Sequence, residues 1–123
     1  MHMKTSLRLA LWGLLAGLCS TGTRAADAPW QEVGRQGMTR FVIVPVEQAH
    51  DRDAYARQVA LLCPDHQSCF INFFTNSGGA ELAMPLPDAV AAQPTAVFRR
   101  STKQGAELFR WSCRLGKDPG NCF

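Results

Sequence analysis

The cysteines constrain this chain more than any other feature. Five are present, at positions 19, 63, 69, 113 and 122, and CPDHQSC, residues 63–69, sets a histidine midway between two of them. That spacing suits a stapled turn, a metal claw or a redox pair. The choice among the three depends on the compartment, which the N-terminus addresses. Residues 1–30 read MHMKTSLRLALWGLLAGLCSTGTRAADAPW. Lys4 and Arg8 precede an apolar run from Leu9 to Leu18, and small residues follow, which is the pattern of a signal peptide. The run is too short for the ~20 apolar residues a membrane-spanning helix needs, and no second run follows. Thr23 and Ala25 provide the small side chains of a cleavage site after Ala25, so a signal peptide over residues 1–25 and export to a Gram-negative periplasm are expected. Cys19 stands where a lipoprotein carries its acylated cysteine, but Leu18 replaces the small residue that the pattern wants before it, so no lipid anchor is expected.

Removing residues 1–25 takes Cys19 with it. The remaining four cysteines sit in a small exported domain, where disulfides are the expected use. The favoured pairing is Cys63 with Cys69 and Cys113 with Cys122, since each pair brackets a turn, PDHQS or RLGKDPGN. Cys69 with Cys113 stays open should their strands be neighbours. The alternative is a structural zinc site of Cys63, His66 and Cys69 with Cys113 or Cys122 as fourth ligand, chemically sensible for tetrahedral coordination but disfavoured by oxidising export. A thioredoxin-like pair needs two intervening residues and here there are five. No cofactor is expected.

Cleavage also alters the charge. Lys4, Arg8 and Arg24 leave and no acid does, so 13 bases against 10 acids become an even balance. That removes the basic character expected of a nucleic-acid-binding domain. The charges are unevenly spread: residues 26–98 hold four bases against eight acids, and residues 99–117 hold six bases against Glu107 alone. Arg99, Arg100, Lys103, Arg110 and Arg114 make up most of that basic end. A contiguous patch there would suit an acidic protein surface, an anionic glycan or lipid headgroups. The bland alternative is a set of cations at a helix end, where the dipole favours them.

The residue patterns predict a single α+β domain over 37–123, after a flexible leader at 26–36. TRFVIVPV, residues 39–46, is rich in β-branched residues and reads as a strand ending near Pro45. Residues 52–63 carry Tyr55, Val59 and Leu62 at helical spacing behind a capping Asp51 or Asp53, with Pro64 closing the helix. SCFINFFT, 68–75, is apolar on both sides and reads as a central strand. Alanine-rich spacing from Asp88 to Arg100 suggests a second helix, kinked or begun at Pro94. AELFRWSCRL, 106–115, alternates, with Phe109 and Trp111 opposite Leu108 and Arg110. The expected architecture is a small three-stranded or slightly larger sheet with two helices on one face, stapled by two disulfides. Trp111 is assigned to the core and Trp30 to the exposed leader.

The catalytic residue types are sparse. His50 and His66 have Asp51, Asp53 and Asp65 nearby in sequence, which permits a small hydrolase, but no glycine-flanked serine of the nucleophile-elbow type is present. Gly78 and Gly79 lack the lysine and the spacing of a phosphate loop. No catalytic residue is assigned, and a non-enzymatic module is favoured.

MPLPDAVAAQPTAVFRRSTKQGAELFRWSC, together with the upstream paired cysteines, resembles a group of small exported proteobacterial proteins. The similar features, across roughly residues 55–113, are an MP turn, an alanine-rich segment ending in Arg-Arg, a polar turn with glycine and a closing Leu-x-x-Trp-x-Cys strand. The resemblance implies an exported domain and brings no activity with it. The function expected is binding of another envelope or exported protein, of inhibitor, immunity or envelope-machine accessory type.

Overall fold

The structure is a computed structural model that describes residues 27–123 as a continuous segment. The expected signal peptide over 1–25 and the lipidation reading of Cys19 lie outside that segment. Five strands form one sheet in the order β1-β2-β3-β4-β5: β1 (Gln31–Gln36), β2 (Thr39–Ile43), β3 (Cys69–Phe74), β4 (Pro94–Ser101) and β5 (Ala106–Trp111). The sheet is mixed, with β2 and β3 parallel and the other neighbours antiparallel. The parallel pair is connected by α1 (Arg52–Leu62), and a single turn, α2 (Asp88–Ala91), precedes β4. The expected small three-stranded or slightly larger sheet with two helices on one face is therefore corrected to a five-stranded mixed sheet that makes up most of the domain.

Two of the strands account for the correction. The first is β4, which occupies most of the stretch read as an alanine-rich helix. Pro94 disfavours helical backbone at Gln93, so α2 stops after one turn and Pro94 becomes the first residue of a strand, a position that needs no ladder N–H. Thr95, Ala96 and Phe98 are then buried between neighbours on both sides. The second is β1, formed from the expected leader. Its sequence, QEVGRQ, is a weak strand former. It is held by pairing with β2 across a two-residue connection, Gly37–Met38. Gly37 has φ 60°, the left-handed backbone that tight hairpin turns require.

The register separates the two faces of the sheet. One carries Val42, Ile71, Phe73, Ala96, Phe98, Phe109 and Trp111, with α1 laid over it through Ala54, Tyr55 and Val59. Tyr55 is wholly buried and meets Trp30, Phe73, Phe109 and Trp111 edge-on at ring-centroid distances of 5.0–5.4 Å. Such edge-to-face contacts favour the aromatic quadrupoles. Trp30 belongs to this core at 7% exposure, which overturns its assignment to an exposed leader. Its main-chain N–H donates to Gln58 Oε1 at 2.7 Å and its indole N–H to Gln48 Oε1 at 3.0 Å.

The second face carries Phe41, Phe70, Asn72, Phe74, Val97, Arg99, Leu108 and Arg110. The long β3–β4 connection reaches across to β1, where Met84 fills the space that a side chain on Gly34 would need. Phe41 and Phe74 stack nearby, 6.0 Å apart.

Disulfides join Cys63 to Cys69 and Cys113 to Cys122. The first ties the end of α1 to the start of β3, and the second ties Cys122 to the 3₁₀ turn Cys113–Leu115 that follows β5. Two disulfides suit an oxidising, extracytoplasmic environment. Among the described residues, no helix is long and apolar enough to cross a membrane.

Candidate functional site

The five basic residues singled out from the sequence are distributed by the strands rather than gathered at a helix end. β4 alternates, so Arg99 and Arg100 emerge on opposite faces. Arg100 lies on the α1 face, where its Nε is 3.3 Å from Glu107 Oε2 and its guanidinium lies over Phe98. Arg114 stands in the 3₁₀ turn and is fully engaged in structure: it donates to the carbonyls of Pro94 and Gln93 and to Thr75 Oγ1 at 2.6–3.1 Å. Lys103 sits exposed on the β4–β5 turn. Arg99 and Arg110 are the two that share a surface, the second face of the sheet.

Their environments differ. The Arg99 guanidinium folds back over the sheet, donating through Nη1 to the Ile71 and Phe98 carbonyls and through Nη2 to Asn72 Oδ1 at 2.7 Å. It also approaches the Phe70 ring at 5.9 Å. Burial lowers its pKa from the ordinary arginine value, yet the group remains a cation at neutral pH. Arg110, across from Val97 on β5, is half-buried. Its Nε is buried and lacks a hydrogen-bond partner among the described residues. None of the ion pairs among those residues includes it. A buried donor on a charged group without an acceptor is costly. The strand residues that share this face include two arginines and no carboxylate.

Beside the arginines lies an open depression of about 410 Å³, lined by Phe70, Arg99, Ser101, Gln104, Ala106 and Leu108. Leu108 is 39% exposed. Phe70, Asn72 and Leu108 were not among the candidates drawn from the sequence. The alternation in CFINFF and AELFRW was a usable signal, because it puts them on the same side as Arg99 and Arg110 once the strands pair. Two other depressions are less suited to a ligand. One of about 460 Å³ lies against Trp30 and residues 27–29. It borders residues outside the description, and Gln48 and Gln58 in its wall are already hydrogen-bonded to Trp30. Another, of about 190 Å³, holds Arg52, Asp65, Arg100 and Glu107, but Arg100 is paired with Glu107 and Arg52 stacks on Phe109 at 3.7 Å.

The remaining candidates are kept apart. His50 precedes α1 and His66 follows it, both exposed, and a helix of 11 residues separates them by ~16 Å at 1.5 Å per residue. Neither lines one of the three depressions above. His66 has φ 61° and serves the turn between the bonded cysteines. The zinc alternative of Cys63, His66 and Cys69 is overturned, because the disulfide consumes both thiolates that would bind metal. Gly78 and Gly79 lie in the turn after β3, where Gly79 has φ 65°. No protein-family model matches the chain, and no match was found among curated proteins or solved structures.

Proposed function

We propose that this chain is exported by its first 25 residues to the periplasm and acts there as a small non-enzymatic binding module for an acidic protein partner. Inhibitors of exported enzymes, immunity proteins and accessory subunits of envelope machines are the types that suit its size and its disulfides. The contact surface is the part of the second face around the β4–β5 depression, with Arg99 and Arg110 as the charged centre and Phe70 and Leu108 as the apolar part. Lys103 borders it on the turn, while Arg100 and Arg114 are occupied elsewhere. The observation that carries this reading is the half-buried Arg110 guanidinium, which has no ion-pair partner among the described residues and shares its sheet face with Arg99 and no strand carboxylate. Arginine and aromatic side chains are enriched at interface centres. A carboxylate delivered by the partner would pair with the Arg110 guanidinium in a charge-assisted hydrogen bond.

Site-specific photo-crosslinking in the natural host tests it. A photoreactive amino acid replacing Leu108 is expected to yield a discrete protein adduct, whereas the same group replacing Leu61 on α1 yields none. Reversal of both charges, Arg99→Glu with Arg110→Glu, removes the adduct. An adduct that survives the reversal, or that forms equally from Leu61, would overturn the proposed surface.

A further inference from the structure

The chain leaves one strand edge open beside the same arginine. In an antiparallel ladder alternate residues turn their main-chain groups toward the neighbouring strand. The Ser112 N–H donates to the Thr95 carbonyl at 2.8 Å, which sets the phase along β5. Leu108 and Arg110 turn inward to β4, and Glu107, Phe109 and Trp111 turn outward. Phe123 occupies the far end of this edge: its N–H donates to the Trp111 carbonyl at 3.0 Å and its carbonyl accepts from the Cys113 N–H at 2.8 Å. The Cys113–Cys122 disulfide holds it there. The outward groups of Glu107 and Phe109 have no main-chain partner among the described residues.

Exposed edges are ordinarily blunted by a bulge, a proline or a lysine. The opposite edge, β1, has such a device, a register shift between Glu32 and Gly34. β5 has no bulge, proline or lysine between Ala106 and Arg110; of its two charges, Glu107 is paired with Arg100 and Arg110 has no ion-pair partner among the described residues. We infer that an extended segment of the partner adds to β5 as a sixth strand, with a carboxylate opposite Arg110 and an apolar side chain opposite Leu108. The two side chains are therefore two positions apart in the partner. Main-chain hydrogen bonds to Glu107 and Phe109 supply affinity, and the two side chains supply selectivity. The depression lined by Phe70, Ala106 and Leu108 receives the apolar one.

This inference rests on the proposed Arg110 surface, and the test separates the two. The probes are acetyl-Thr-Glu-Val-Leu-Thr-amide and the same peptide with Glu and Leu exchanged, which cover the two strand directions. Nitrogen-edited NMR follows the amides of Glu107 and Phe109. One probe is expected to slow their hydrogen exchange, and Glu107→Pro, at an outward N–H where an edge strand tolerates proline, weakens binding about tenfold relative to Glu107→Gln. A probe with methylated main-chain nitrogens repeats the test without altering the protein, and its binding is expected to be lost. If Glu107→Pro and the methylated probe bind normally while Arg110→Gln does not, strand addition is overturned and the arginine surface stands. If Arg110→Gln binds normally, both readings fall. Absence of binding by either probe at millimolar concentration overturns strand addition.

Discussion

Tyr55 is the single tyrosine of the chain, and its position shows how one residue organises the core. Its hydroxyl donates to the Ala49 carbonyl and bonds Thr95 Oγ1, each at 2.8 Å. Burial pushes its pKa up to about 12, against smaller lowering effects of the Thr95 hydrogen bond and the Arg114 charge. The folded chain thus keeps a proton that the unfolded chain releases above about pH 10. Stability is unaffected at neutral pH and falls as pH rises from about 10 to 12, by on the order of 2 to 3 kcal/mol. Urea unfolding across that range should show the decline, and Tyr55→Phe should lessen it. Tyrosinate absorbance of the folded protein should likewise appear only near the top of the range. Trp30 provides a second prediction. Its removal opens a cavity against Tyr55 and Phe73 and orphans the Gln48 acceptor, so Trp30→Ala is expected to cost ~3 to 5 kcal/mol by chemical denaturation. Strand alternation supported Trp111 as core, and no such pattern was present at Trp30. A tryptophan in a polar stretch near the expected cleavage site has no periodic neighbours to show which way it faces.

Secondary-structure elements were legible where local signals agreed with tertiary context. α1 is such a case: Asp51 Oδ1 accepts from the N–H groups of Asp53 and Ala54, and Tyr55 and Val59 face the sheet. Asp51→Ala should cost about 1 kcal/mol, read as a lower urea midpoint with unchanged slope. The strands β2 and β3 were also evident from β-branched and aromatic runs. β4 was not, because Ala89, Ala91 and Ala92 carry a helical bias that ends at Pro94, and a strand buried on both sides lacks the alternation that distinguishes it from a helix. That error also misplaced Arg99 and Arg100. On a helix end they would be neighbours, but on a strand adjacent residues lie on opposite faces. β1 was missed for the reverse reason, since Gln, Glu, Gly and Arg become a strand only when the β2 edge is present to pair with them.

At the scale of the whole molecule the disulfides act on different parts of the sheet. Closing loops with sequence separations of 6 and 9 residues is expected to stabilise the chain by ~2 to 3 kcal/mol each through the unfolded state. Cys63 and Cys69 are 2% and 4% exposed, so replacing both with alanine also leaves a core cavity. This double replacement should lower the urea midpoint further than Cys113→Ser with Cys122→Ser. The latter pair should instead release Phe123 and speed amide exchange at Cys113. What the sequence alone determined were properties that depend on residue type and short spacing: paired cysteines able to bracket turns, one amphipathic helix with its cap, two hydrophobic strands and a basic C-terminal stretch. Tertiary structure decided the number of strands, the partition of the basic residues between two faces, and which arginine lacks an acceptor. Those outcomes depend on strand register and on what packs over each face, and both are set by contacts between segments distant in sequence.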